Sequence, residues 1–194
     1  RTMFRRLDPQ LWKGCGNNPV LMLGRIPQAA LERAAADPRF LTLYRRACER
    51  YDSYIQTAQS AQSDKLVAYF SMEYGLTECL PIYSGGLGLL SGDHLKSASD
   101  ADMPLVAVGL LYQMGYLRQY LNPDGWQQER YPINDFYTLP VEQVCDENGN
   151  ELKVYVTLPT GPVAIKVWRI RVGRVDLYCL DTNIPENVRD FERD

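Results

Sequence analysis

The sequence predicts an α/β protein in which a helical segment precedes a parallel sheet that carries an antiparallel portion. Three observations carry this prediction. Apolar residues recur at helical spacing through residues 40–55. Two short, continuous apolar runs, at 66–71 and 105–112, stand about one helix apart, as buried parallel strands do. Further along, two strand-like segments flank Pro-Thr-Gly-Pro at 159–162, which predicts an antiparallel hairpin.

Length and composition favour an ordinary globular chain. It has 194 residues, of which 45% are hydrophobic, and no apolar run approaches the ~18 residues of a membrane span. The start, at Arg1, shows no signal peptide and no initiator Met, so we expect part of a longer polypeptide. The five cysteines are widely scattered, which favours reduced thiols in a cytoplasmic protein. His94 is the only histidine, which argues against a zinc enzyme or a Ser-His-Asp hydrolase.

Residues 1–63 are predicted to form a helical N-terminal extension. Pro27 is expected at the first helical position before a helix over 28–36, and Asp37-Pro38 restarts the chain into the next helix. The polar stretch 56–64 has the composition of a linker. The extension is net basic and the rest net acidic. Because basic and acidic residues alternate, we favour packing on an acidic neighbour over nucleic-acid binding.

Residues 64–194 are predicted to form part of a Rossmann-like domain. The run at 66–71, a helix from about Gly86 to Asp102 and the run at 105–112 make a βαβ unit. Pro104 ends the helix, and Asn-Pro-Asp-Gly at 122–125 is a turn. Strands at 153–158 and 163–170 form the hairpin, and a third strand at 174–180 is expected beside it.

The most informative segment is the glycine loop, which we define as residues 84–88, Ser-Gly-Gly-Leu-Gly. Two adjacent glycines before a helix let a ligand approach the backbone, and the first helical N–H groups can bind an anion. The Rossmann dinucleotide pattern fails because Ser91 occupies the third glycine position, and no Gly-Lys-Ser/Thr of a P-loop follows. A tight turn that only caps the helix remains an equal alternative.

Two titratable residues near the loop are candidates for catalysis. Glu73 follows the first strand, where α/β sheets gather ligands, but a solvated loop carboxylate fits the sequence equally well. On a helical wheel His94 shares a stripe with Leu87, Leu90, Ala98 and Ala101 and is expected to face the core or a covered surface. A buried, hydrogen-bonded histidine is favoured there over a direct catalytic role.

Three linked blocks resemble the glycogen and maltodextrin phosphorylases. They are Val-Ala-Tyr-Phe-Ser-Met-Glu-Tyr at 67–74, the glycine loop itself, and Gly-Trp-Gln-Gln-Glu at 125–129. The segment 81–96, the helical start through Asn-Pro-Val at 18–20, and residues 180–187 are similar to the bacterial and archaeal α-glucan phosphorylase branch. The resemblance covers nearly the whole chain.

This resemblance implies the start of a GT-B fold and an enzyme that transfers glucosyl units from α-1,4-glucan ends to phosphate, giving glucose 1-phosphate. It implies pyridoxal 5′-phosphate on a lysine of a second domain absent from this chain, so the chain alone is expected to be inactive. Gly85, Gly86 and Leu87 would face the phosphates through backbone amides, Glu73 would line the sugar site, and Tyr74 would lie near the cofactor. We expect no metal, nucleic acid or membrane partner, and a homo-oligomer is allowed.

Two alternatives stay open. A glycogen or starch synthase relative would share the GT-B fold, but the lysine that meets nucleotide phosphates in that family is replaced here by Tyr83. A non-catalytic carbohydrate-binding fragment is the second alternative, since Trp126 and the many tyrosines can stack on sugars, although aromatic residues more often fill cores.

Overall fold

A computed structural model describes residues 1–56 and 65–187. The first range is helical, as the sequence predicts, and contains five helices. They are α1 (Thr2–Leu7), α2 (Pro9–Gly14), α3 (Pro19–Arg25), α4 (Gln28–Ala36) and α5 (Pro38–Gln56). The predicted linker at 56–64 and the proposed domain boundary lie almost entirely outside the described residues.

An acidic or amide side chain followed by proline starts three of these helices. Asp8 Oδ1 accepts hydrogen bonds from the backbone N–H groups of residues 10 and 11, at 3.0 and 2.9 Å. Asn18 Oδ1 does the same for residues 20 and 21, and Asp37 caps α5. Each side chain satisfies N–H groups that the helix cannot, while the following proline fixes φ for the first turn. Pro27, expected at the first position of α4, instead precedes that helix in an extended conformation.

The second range forms a six-stranded mixed sheet, a separate two-stranded hairpin and one long helix. The strands are β1 (Val67–Phe70), β2 (Leu105–Leu110), β3 (Arg118–Leu121), β4 (Gln127–Arg130), β5 (Glu142–Gln143), β6 (Lys153–Leu158), β7 (Gly161–Val172) and β8 (Val175–Asp181). The helix is α6 (Gly86–Asp100), and short 3-10 turns lie at Phe136–Thr138 and Pro185–Asn187. Thus β1, α6 and β2 form the predicted βαβ unit.

The main sheet has the order β1-β2-β8-β7-β5, with β6 also paired to β7. The pairs β1–β2 and β2–β8 are parallel, whereas β7 runs antiparallel to β8, β6 and β5. The prediction of a parallel sheet with an antiparallel portion is therefore confirmed. The turn predicted at 122–125 joins β3 to β4, two strands that the sequence analysis did not predict.

The core lies between α6 and the centre of the sheet. Leu95, Ala107, Leu177 and Cys179 are fully buried there, together with Trp168. A smaller cluster around Trp12, Cys15 and Met22 holds the first three helices together. Asn18 Nδ2 donates to the carbonyl oxygen of Thr138 at 2.8 Å, which ties the helical segment to the α/β part.

One expectation about burial is wrong. The first strand, predicted as buried, is largely exposed: Val67 retains 49% and Phe70 70% of their accessible surface. Within the described part of the chain, β1 pairs only with β2 and stands at the edge of the sheet. A continuous apolar run indicates that a strand is suited to burial, but burial itself depends on an element that covers it.

Candidate active site

The glycine loop leads directly into α6 through a backbone conformation that favours glycine. Gly85 caps the helix with φ 76° and ψ −158°, a region that residues with a Cβ atom rarely adopt. Gly86 is the first helical residue and has no positive φ. A Cβ atom built on either glycine meets no atom within 4 Å, so the space in front of the helix is open. The first N–H groups of α6 therefore face a space that an anionic ligand can enter.

The Glu73 carboxylate holds the glycine loop in place through Ser84. Its Oε2 atom accepts a hydrogen bond from the backbone N–H of Ser84 at 3.1 Å, and Oε1 accepts from the Ser84 hydroxyl at 3.4 Å. Ser84 immediately precedes Gly85. The sequence analysis treats the Glu73 carboxylate and the start of α6 as separate candidates, whereas in the folded chain they lie side by side and are hydrogen-bonded through Ser84.

Close backbone contacts fix α6 against the loop that follows β1. The N–H of Gly75 donates to the carbonyl oxygen of Gly88 at 2.7 Å. A Cβ atom on Gly92 would lie 2.2 Å from the Gly75 carbonyl oxygen, and one on Gly88 would lie 2.5 Å from the Cβ of Tyr83. Because real Cβ atoms do not approach so closely, both helical positions require glycine.

A cavity of about 260 Å³ opens beside this structure. Its lining includes Glu73, Tyr83, Ser84, Tyr112 and Tyr116. Tyr112 donates its hydroxyl proton to the carbonyl oxygen of residue 72 at 3.2 Å, and burial, then the nearby Glu73 carboxylate, raise its pKa. One carboxylate among tyrosine rings and backbone groups suits a polyol, which offers hydroxyls to bond and apolar ring faces to contact.

Comparison with known proteins finds relatives that are named phosphorylases. The chain is 43% identical, over 97% of its length, to "Glycogen phosphorylase" of Mycobacterium tuberculosis (strain ATCC 25618 / H37Rv), of which it covers 23%. It is 37% identical over 97% of its length to "Maltodextrin phosphorylase" of Thermococcus litoralis, of which it also covers 23%. This chain is a homologue of the glycogen and maltodextrin phosphorylases.

The similarity extends through both parts of this phosphorylase homologue. It is 38% identical over 96% of its length to "Glycogen phosphorylase" of Aquifex aeolicus, of which it covers 27%. A family model described as "Protein of unknown function (DUF3417)" matches residues 1–80. The resemblance found in the sequence is confirmed, and the chain spans about a quarter of the length of these relatives.

His94 does not occupy the core position expected for it. In this phosphorylase homologue His94, Leu87 and Leu90 are exposed, whereas the buried face of α6 carries Gly88, Ser91, Gly92, Leu95, Ala98 and Ser99. The His94 ring lies against Tyr69, with ring centroids 4.6 Å apart. Small residues such as Gly92 occupy the buried face of α6 because they allow the close backbone approach at Gly75.

Tyr74 lies in the core and not on the cavity wall. It is 1% exposed, and its hydroxyl donates towards the carbonyl oxygens of Tyr69 and Val108, at 3.1 and 3.0 Å. Burial raises its pKa strongly, so the phenol stays protonated. A Cβ on Gly109 would lie 2.6 Å from the Tyr74 ring. This position fixes the end of β1 against β2, and a role beside a cofactor stays a prediction.

Sequence reasoning placed Ser84 in the glycine loop but missed its bond to Glu73, and it missed Ser91 and Tyr112 as members of the site. No motif marks these contacts, because serine and tyrosine are common residues and the partners are 11 to 40 residues away in the chain. Among residues 1–56 and 65–187, no group of three or more His, Cys, Asp or Glu side chains is arranged to hold a metal ion. In the same ranges, no helix combines the length and apolarity that crossing a bilayer requires.

Proposed function

We propose that the polypeptide carrying this chain is an α-glucan phosphorylase, of which the chain forms the first part. The enzyme would transfer glucosyl units from α-1,4-glucan ends to phosphate and release glucose 1-phosphate. The observation that carries the proposal is the open N-terminus of α6, reached through Gly85 at φ 76° and braced by Glu73. The names of the relatives, which cover both glycogen and maltodextrin, support the same reaction.

The proposed division of labour follows from the site. Backbone N–H groups at Gly86 and Leu87 would bind and orient a phosphate group, and Gly85 would supply the turn that aims them. Glu73 and the tyrosines of the cavity would bind the sugar. Tyr74 would act from the core by fixing the end of β1, and the exposed His94 remains a candidate catalytic residue.

The glycine loop also fits a cofactor that carries a phosphate. A Cβ atom built on Gly85 or on Gly86 meets no atom within 4 Å, so the helix start can accept a bulky anion. Pyridoxal 5′-phosphate, when bound, would supply a phosphate group that exchanges protons with inorganic phosphate. Its lysine would lie in a second Rossmann-like domain of a GT-B fold, with residues 1–63 as the helical extension and 64–194 as part of the first such domain.

A nucleotide-sugar transferase is the alternative that a specific residue disfavours. Tyr83 lies on the cavity wall next to Ser84, at the place where that family carries a lysine for nucleotide phosphates. A phenol offers no positive charge for this task. A non-catalytic glucan-binding role finds some support in Trp126, which is 72% exposed at the β3–β4 turn.

The test is an assay of the full-length polypeptide that carries this chain, purified with pyridoxal 5′-phosphate. We expect glucose 1-phosphate from maltodextrin and inorganic phosphate, and no transfer from a nucleotide sugar. The 194-residue chain alone should show neither cofactor absorbance after dialysis nor phosphorolysis. Transfer from a nucleotide sugar would establish the synthase-like alternative. Retention on a glucan resin without turnover would establish the binding role.

A further inference from the structure

A line of three hydroxyl groups connects α6 to the end of β1. The Ser91 hydroxyl donates to Ser71 Oγ at 2.8 Å, and the Ser71 hydroxyl donates to the carbonyl oxygen of Glu73 at 3.0 Å. The hydroxyls of Tyr69 and Ser91 lie 3.3 Å apart. These three groups, which we call the hydroxyl relay, join residues that lie up to 22 positions apart in the chain.

The proton count gives the relay a direction. A hydroxyl donates one hydrogen bond and accepts up to two. Since the Ser71 hydroxyl is committed to the Glu73 carbonyl, its oxygen accepts from Ser91, and it also receives the Glu73 N–H at 3.4 Å. Tyr69 then donates to Ser91. The donors thus follow one another from Tyr69 through Ser91 and Ser71 to Glu73. At the end of this chain, Ser71 bonds both the N–H and the carbonyl oxygen of Glu73.

Glu73 transmits this constraint to the glycine loop. The relay holds its backbone, and its carboxylate holds the backbone N–H and the hydroxyl of Ser84. The Leu87 carbonyl oxygen, inside the loop, is a second acceptor for the single Ser91 proton, at 3.0 Å from Ser91 Oγ. Ser91 therefore contacts the loop from the helix side and, through Ser71 and Glu73, reaches it again from the strand side.

Burial makes the hydroxyl relay sensitive to the loss of a single hydrogen bond. Ser91 is 0% exposed, so a relay group that loses its partner inside α6 cannot turn to solvent. The neighbouring Gly92 touches the Gly75 backbone so closely that the helix cannot shift to compensate. Ser91 and Ser99 are the polar side chains on the buried face of α6, and at position 91 alanine would fill the same space without a polar group.

We propose that Ser91 is a positioning residue for the phosphorylase reaction, acting through Ser71 and Glu73 to hold the glycine loop at the phosphate site. The proposal rests on the function proposed above. It also gives His94 a place without a contact to substrate, because its ring lies against Tyr69, the first member of the relay.

The test compares Ser91→Ala with Ser97→Ala in the full-length enzyme with bound cofactor. Ser97 lies exposed on the same helix and serves as the matched control. Ser91→Ala should lower kcat about 10- to 100-fold, since small misplacements of binding groups cost this much. It should leave KM for maltodextrin within about threefold, keep the cofactor content and speed amide hydrogen exchange at residues 84–88. Ser97→Ala should behave as the wild type.

A double-variant cycle separates positioning from simple packing. If the two serines act in series, Ser71→Ala combined with Ser91→Ala should cost little more than either change alone. Additive losses, or a normal kcat with only a lower melting temperature, would overturn the proposal. The hydrogen-exchange measurement also separates the positioning role of Ser91 from the proposed phosphorylase reaction. If the wild-type enzyme lacked phosphorolysis but Ser91→Ala still loosened residues 84–88, the positioning role would stand and the proposed reaction would fail.

Discussion

At the scale of single residues, two adjacent glycines make different demands on the chain. Gly85 needs glycine for its backbone, because φ 76° with ψ −158° is costly for any residue with a Cβ. Gly86 is the first helical residue and has no positive φ, so the backbone demand for glycine lies at Gly85 alone. What Gly86 offers is open space in front of the first turn of α6.

This difference predicts opposite outcomes for two variants. Gly85→Ala should destabilise the loop by about 1–3 kcal/mol, because the residue must leave its conformation or bear the strain. Gly86→Val should leave the melting temperature of the full-length enzyme nearly unchanged but lower phosphorolysis by about 10²–10³, because its methyl groups stand where phosphate would approach the amides. Melting temperature, cofactor stoichiometry and turnover should be measured on both. Normal turnover of Gly86→Val would mean that the glycines only shape a turn.

At the scale of elements, one arginine joins α5, α6 and the turn between β7 and β8. Arg174 Nε donates to the Tyr54 carbonyl oxygen at 3.0 Å, and Nη1 donates to the Ser99 carbonyl oxygen at 3.1 Å. The guanidinium lies over the Tyr54 ring at 4.2 Å. Tyr54 in turn shares its hydroxyl with Ser99 and Asp100 near the end of α6. A planar group with several donors meets all these contacts at once.

Replacing this fork with a point charge should loosen the junction of the three elements. Arg174→Lys keeps the charge but cannot bond both carbonyl oxygens in the same geometry, so we expect a loss of about 1–3 kcal/mol in the local free energy of opening. Amide hydrogen exchange over residues 96–103 and 170–176 measures it. Arg171→Lys, three residues earlier on an exposed side chain paired to Glu142, should change protection by less than about 0.5 kcal/mol. Equal effects of the two variants would contradict this account.

At the scale of the whole molecule, local patterns predicted most of the elements, though not β3, β4 or β5, and failed where burial depends on distant partners. The helix at Gly86 and the strands around the hairpin carry their own signals in glycine, proline and apolar periodicity. The exposed face of β1 and the exposed His94 could not be predicted, because the same apolar stripe can face a core or an uncovered surface. Glu73 was found through its position after a strand, whereas Ser84 and Ser91 matter only through the contacts that folding creates.

The charge distribution of the folded chain predicts its response to acid. Carboxylates cluster with cations on the antiparallel side of the sheet, where Glu151 accepts a hydrogen bond from Lys166 at 2.7 Å and Glu142 from Arg169 at 2.6 Å. These bonds are the largest cause of the lowered pKa of each carboxyl. Glu186, paired with Lys153, has a lowered pKa for the same reason. Near pH 4 the unfolded chain therefore binds more protons than the folded one.

Stability should accordingly be constant near neutral pH and fall as pH drops below the ordinary glutamate pKa of 4.5 and through the lower folded values. Glu151→Gln should lower the denaturation midpoint at pH 7, because Lys166, 8% exposed above the Trp168 ring, loses its anionic partner. Below the folded pKa the wild-type Glu151 is itself neutral, so the two midpoints should converge there. Glu147→Gln, an exposed carboxylate in the preceding turn, is the control and should track the wild type throughout. A Glu151→Gln deficit that stays the same size at acidic pH would show that the side chain acts through packing and not through its charge.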